Sequence, residues 1–113
     1  MSPPDLATQT CKQCAPGSLP LEESQADELQ RQLDAAWERE GNRLIRRVFS
    51  FPDFQGSFAL ATHVALLAES QGHHPDLEVS WGKLTVTFTT HHAGGLTESD
   101  FVMAAKIDGF ASK

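Results

Sequence analysis

Apolar residues recur along the chain with two alternating periods, near 3.6 and near 2, and each change of period marks an element. From about Glu22 the spacing is helical. Leu29, Leu33 and Ala36 share a face, and Glu22, Glu23 and Asp27 stand early, where the helix dipole favours anions. Trp37 ends that helix or begins a strand. Glu40-Gly41-Asn42 reads as a turn, and Leu44 to Phe51, with Ile45, Val48 and Phe49, reads as a strand, so residues 37–51 are a candidate hairpin. Asp53 is placed to cap a second helix that Gly56 weakens in its first turn and Gly72 ends. Along that helix Phe54, Phe58, Ala61, Ala65 and Ala68 form one apolar stripe, and Leu60, Val64 and Leu67 form another beside it. A helix apolar over so much of its circumference needs cover on more than its sheet side, and a second subunit is the expected cover.

A second hairpin follows, from Leu77 to Trp81 and from Lys83 to His91, around Gly82. In its longer strand Leu84, Val86 and Phe88 alternate with Thr85, Thr87, Thr89 and His91, which predicts an apolar face and a threonine face ending in a histidine. Gly94-Gly95 makes a turn. Thr97-Glu98-Ser99-Asp100 resembles a capping box opening a third helix, with Phe101, Ala104, Ala105 and Ile107 on its buried side. The predicted class is α+β: a four-stranded antiparallel sheet with three helices on one face, in the order α-β-β-α-β-β-α. The chain divides into an N-terminal arm over residues 1–20, expected to be flexible because it is rich in Pro, Ser, Thr and Gln, and a single domain over 21–113.

Composition narrows the functions. In 113 residues there is room for one domain. The net charge of −6 argues against nucleic acid and against an anionic membrane surface as partners, since either calls for a basic patch. No apolar run approaches the roughly 20 residues that span a bilayer. The start Met1-Ser2-Pro3-Pro4-Asp5 lacks the basic and apolar regions of a signal peptide, so a cytoplasmic location is expected. Cys11 and Cys14 form a lone C-x-x-C inside the arm. With no second cysteine pair and with Pro16, Gly17 and Pro20 close by, they read as thiols without a catalytic role, a local disulfide or partial metal site being the alternatives.

The chemistry gathers on histidine, the side chain that both gives and takes protons near neutral pH. Four of the five histidines form two adjacent pairs, His73-His74 and His91-His92. His73-His74-Pro75 follows a helix stop, and Pro75 bars the helical conformation at His74, so the two imidazoles sit on a stiff loop. Glu69 lies in the last turn of the second helix, where the dipole disfavours a carboxylate, and an imidazole is its natural partner. Neighbouring residues on a strand face opposite ways, which sets His91 and His92 apart and disfavours their chelating one ion. Residue patterns alone leave an acid/base site or a metal site open.

The run Glu69-x3-His73-His74-Pro75-x5-Trp81-x9-His91-x8-Asp100 resembles the signature of the pterin-4a-carbinolamine dehydratases. Trp37, Phe49-x-Phe51-x-Asp53-Phe54, Gly94-Gly95-Leu96-Thr97 and Ala104-Ala105-Lys106-Ile107-Asp108 extend the likeness over roughly residues 20–110. The resemblance implies a homodimer or homotetramer and a small-molecule pterin substrate, 4a-hydroxytetrahydropterin, dehydrated to quinonoid dihydropterin without metal or organic cofactor. It also implies a functional link to an aromatic amino acid hydroxylase. By position, His73 and His91 would be the acid/base pair and His74 would orient substrate or stabilise its charge, with Glu69 and Asp100 positioning the imidazoles. Pro75 and Trp81 would border the site, Trp81 as packing residue or pocket wall. Asp100 has a second reading as a simple helix cap, and His92 and His63 read as solvated or interface residues. Asp76-Leu77 departs from the Glu-Trp found after the proline in some relatives. Non-catalytic assembly chaperones and binding proteins exist on the same fold, and loss of one of the three histidines would mark such a relative; this chain keeps all three.

Overall fold

A computed structural model describes residues 6–9 and 19–111. The elements run α1 (Glu23–Gln30), β1 (Glu38–Glu40), β2 (Leu44–Ser50), α2 (Phe54–Gln71), β3 (Asp76–Ser80), β4 (Lys83–Phe88) and α3 (Glu98–Ala111), with short 3-10 turns at Leu6–Thr8 and His91–Ala93. The strands form one antiparallel sheet in the order β1-β2-β4-β3. This is the α+β architecture expected from the alternation of periods.

Register explains the core. In the central pair Ile45 stands opposite Phe88, Arg47 opposite Val86 and Phe49 opposite Leu84, so these residues share one face of the sheet. Ile45, Leu84, Val86 and Phe88 are fully buried there under the helices. The opposite face carries pairs such as Arg46 with Thr87 and Val48 with Thr85, and Val48 is 46% exposed. Arg47 is the one cation on the covered face of β2. Its guanidinium lies 4.4 Å from the centroid of the Phe49 ring, and its terminal nitrogen donates to Asp108 Oδ1 at 2.6 Å. The same Asp108 oxygen accepts from Trp37 Nε1 at 2.8 Å, and the other accepts from the Asp34 backbone N–H at 2.9 Å. One carboxylate on α3 therefore ties β2, Trp37 and the segment after α1 together.

That tie is why α1 is shorter than its apolar spacing predicts. The helix ends at Gln30, and residues 31–37 form turns in which Asp34 Oδ1 also accepts from the Ala36 N–H. Leu33 is still buried, but Ala36 is exposed. On α2 the caps fall where the sequence puts them. Asp53 Oδ1 accepts from Gly56 N at 2.8 Å, and Gly72 takes the left-handed conformation at φ 67°. The buried stripe of α2 is Ser57, Ala61, Val64 and Ala68, whereas Phe54, Phe58 and Leu66 are exposed. Gly56 has a packing reason: a Cβ there would lie 2.8–2.9 Å from the Phe51 side chain.

Of the predicted N-terminal arm, Leu6–Thr8 make a turn whose Leu6 side chain is buried in the core, and Lys106 Nζ on α3 donates to Ala7 O at 2.8 Å. Cys11 and Cys14 lie outside the described residues. No helix among the described residues is long and apolar enough to cross a membrane.

Candidate active site

The loop after α2 carries the first two histidines. Gly72 N–H and His73 N–H both donate to Ala68 O, so the chain turns sharply out of the helix and Pro75 leads it into β3. The turn sends the two imidazoles to different surroundings. His73 Nε2 lies 2.6 Å from Asp100 Oδ1, with 13% of the His73 side chain and none of the Asp100 side chain exposed. The His73 ring also stacks on Phe88, with centroids 6.1 Å apart and planes at 11°. His74 Nε2 lies 2.8 Å from Glu69 Oε1, but these side chains are 57% and 76% exposed. Each imidazole thus has a carboxylate partner, one inside the protein and one on its surface.

Asp100 stands in the first turn of α3, and its environment reconciles the two readings of that residue. Its Oδ2 accepts from the Thr97 backbone N–H at 2.9 Å, the side-chain half of a capping interaction. The same oxygen accepts from Thr90 Oγ1 at 2.8 Å, which leaves Oδ1 for His73. Asp100 is helix cap and imidazole partner at once. Thr90, 5% exposed, was not apparent as a site residue from sequence. The available clue was indirect: a buried carboxylate needs several donors, and Thr90 directly precedes a candidate histidine.

His91 is not on a strand. β4 ends at Phe88, and Thr90 forms an isolated bridge with Gly95, N–H to O in both directions at 3.1 and 3.2 Å. His91 and His92 then sit in the 3-10 turn His91–Ala93, so strand alternation does not separate them. The cause is the close approach of this turn to the β1–β2 hairpin. Leu96 N donates to Asn42 O at 2.7 Å, and a Cβ on Gly95 would lie 2.6 Å from that oxygen. Only glycine fits there, and the bridge that follows pulls the chain off the sheet. The His91 side chain is exposed and has no hydrogen bond or ring contact with His73 or His74 among the described residues.

Trp81 is 72% exposed at the β3–β4 turn, so it does not pack into the core. Pro75 is half-buried at the loop's end. His63 stacks on Phe110, near the C-terminal end of α3, at 3.9 Å between centroids. Among the described residues no three His, Cys, Asp or Glu side chains gather as a metal-ligand set. A cavity of about 600 Å³ between β2, α2 and α3 is lined by Arg47, Phe49, Phe51, Leu60, His63 and Phe110 among others, and by none of the paired imidazoles. Its size suits a ligand, but its one imidazole, His63, has no carboxylate partner among the described residues, unlike His73 and His74.

The chain matches the family profile of pterin 4 alpha carbinolamine dehydratase over residues 19–110. A protein of Nitrosomonas eutropha provisionally named pterin-4-alpha-carbinolamine dehydratase is 41% identical over 104 residues, covering 92% of this chain and 91% of its own. One of Chlorobium limicola with the same provisional name is 43% identical over 108 residues, covering 93% and 95%. Among solved structures, a transcriptional coactivator/pterin dehydratase from Brucella melitensis superposes with a TM-score of 0.74 at 38% identity, over 81% of this chain and 98% of that one. A pterin dehydratase-like RuBisCO assembly factor of the alpha-carboxysome shares the fold, with a TM-score of 0.58 at 21% identity over 69% and 92%. The chain therefore belongs to the pterin 4 alpha carbinolamine dehydratase family.

Proposed function

We propose that this protein dehydrates 4a-hydroxytetrahydropterin to quinonoid dihydropterin, in the recycling of a tetrahydropterin used by an aromatic amino acid hydroxylase. The observation that carries the reading is the His73 imidazole held at 2.6 Å by the buried Asp100, next to a second imidazole–carboxylate pair. Dehydration breaks the C4a–O bond. An acid protonates the departing hydroxyl, which leaves as water with the bonding electrons, and a base takes the proton from N5 as the C4a–N5 double bond forms. Imidazoles serve both steps, so the reaction calls for neither metal nor organic cofactor. In this reading His73 and His91 exchange the protons, and His74, steadied by Glu69, orients the pterin or balances its developing charge. Asp100 holds His73, and Pro75 and exposed Trp81 border the approach to the site.

The assay generates 4a-hydroxytetrahydropterin in situ and compares the parent protein with His73→Ala and His91→Ala. Loss of a general acid or base lowers the rate by about 10²–10⁴-fold. Equal turnover in both variants and the parent would falsify the assignment, and an inactive parent would favour a binding or assembly role on this fold. The protein is proposed to act as a cytoplasmic homodimer or homotetramer. Phe54 and Phe58 support that assembly: they stack at 6.1 Å on the outer side of α2 while 46% and 56% exposed, with Leu66 at 66% further along the helix. Light scattering that finds a monomer at micromolar concentration would exclude it.

A further inference from the structure

With Asp100 ionised, donor and acceptor roles assign a position to each proton in the network around it. As a carboxylate, Asp100 only accepts. Its Oδ2 takes the Thr97 N–H at 2.9 Å and the Thr90 hydroxyl at 2.8 Å. Thr90 has then given away its only hydroxyl proton, so its contact with Thr97 Oγ1 at 2.9 Å is filled by the Thr97 hydroxyl donating to Thr90. On the other side, Oδ1 faces His73 Nε2 at 2.6 Å, and since the carboxylate has no proton to offer, Nε2 must carry it. The donors run one way: Thr97 hydroxyl to Thr90 hydroxyl to Asp100, with His73 donating from the opposite side. In the neutral imidazole this leaves Nδ1 bare, and Nδ1 has no hydrogen-bond partner among the described residues.

We infer that Thr90, acting through Asp100, fixes His73 as its Nε2–H tautomer and thereby makes Nδ1 the atom that exchanges a proton with substrate. The tautomer follows from the hydrogen bonding of an ionised Asp100 to a neutral imidazole; that Nδ1 meets a pterin rests on the proposed dehydration. Thr90 is a positioning residue with two attachments. Its hydroxyl stops rotation of the Asp100 carboxylate, and its backbone anchors the turn that begins at His91, through the bridge to Gly95. One residue thus relates the His73 and His91 segments to each other.

The sharpest test replaces Asp100 by its amide. Two donors, Thr97 N–H and Thr90 O–H, meet at the Oδ2 position, so in Asp100→Asn the amide oxygen must settle there and the NH₂ must face His73. Nε2 can then only accept, and His73 is driven to the Nδ1–H tautomer with Nε2 occupied. Two-bond ¹H–¹⁵N correlation spectra of the full chain under alkaline conditions report the tautomer without reference to any substrate. The expected result is Nε2–H in the parent and Nδ1–H in Asp100→Asn, with kcat lowered by about 10³–10⁴-fold, as when the carboxylate behind a serine-protease histidine becomes an amide. Thr90→Val is expected to lower kcat about tenfold with little change in KM, and Thr90→Ser, which keeps the hydroxyl, to return it to within about threefold of the parent. A parent spectrum with the proton on Nδ1, or an Asn variant that keeps Nε2–H, overturns the inference. Equal rates in Thr90→Val and Thr90→Ser remove Thr90 from it. If the parent shows no dehydration, the proposed reaction fails, and the spectra still decide the tautomer.

Discussion

Two imidazole–carboxylate pairs leave the same loop, one residue apart, at nearly equal lengths of 2.6 and 2.8 Å. Sequence makes them look alike, yet one is built into the protein and the other is laid on it. His73–Asp100 is nearly excluded from solvent, and its carboxylate is held from behind by two further donors. His74–Glu69 is solvated on both sides, and the Glu69 carboxylate has no other hydrogen bond among the described residues. Water competes for the exposed pair and screens it, whereas the buried one leaves donors stranded if a partner is removed. Equal distance is a poor guide to equal worth.

Perturbing the buried pair should have the largest effect. Asp100→Ala leaves the Thr90 hydroxyl, the Thr97 N–H and His73 without their acceptor, and should lower unfolding stability in urea by about 3 kcal/mol. A loss under about 1 kcal/mol would mean that water enters and the two pairs differ less than their burial implies. Next comes the contrast between the imidazoles themselves. His73→Gln should slow the proposed dehydration by about 10²–10⁴-fold, and His74→Gln by about tenfold with the change mainly in KM. Reversed magnitudes would make the solvated imidazole the proton carrier.

Smaller still is the outer carboxylate. Glu69→Gln should change stability by less than about 0.5 kcal/mol, and the difference should shrink further in about 1 M salt. The smallest effect belongs to an exposed reference pair on the hairpin. The Arg43 guanidinium, which both hydrogen-bonds Glu40 and attracts it, holds the Glu40 carboxyl below its ordinary value of 4.5, with Arg46 assisting. A lowered carboxylate pKa contributes stability that is complete above the ordinary value and is lost as pH falls through the lowered one. The melting temperature of Glu40→Gln should therefore lie slightly below the parent's near neutral pH and converge with it in acid below that range. A gap that persists in acid would point to packing rather than charge.

Local rules carried much of the fold. Asp53 and Gly72 bound α2 as capping chemistry predicts, Gly41 and Gly82 supply the hairpin turns, and Leu84, Val86 and Phe88 face inward as alternation predicts. What escaped was set by partners distant in sequence. Helix α1 stops early because Asp34 is bound by Asp108, 74 residues away. His91 leaves the strand because Gly95 and Leu96 abut Asn42. At the site, Asp100 stands beside His73 and Glu69 beside His74; the sequence left open which carboxylate meets which imidazole and which pair is buried, and it did not mark Thr90. Solvent exclusion at Asp100 depends on β4, α3 and the loop after α2 meeting in three dimensions, and no spacing along the chain encodes that.

The double duty of Asp100 has a dynamic consequence. Its Oδ2 secures the Thr97 amide at the start of α3 while its Oδ1 grips His73, so the helix cannot fray at that end without releasing the imidazole. Local opening and loss of the site are then one event. The Thr97 amide proton becomes its clock: the rate at which that proton exchanges with solvent reports how often the protein, while still folded elsewhere, briefly dismantles its proposed acid/base site.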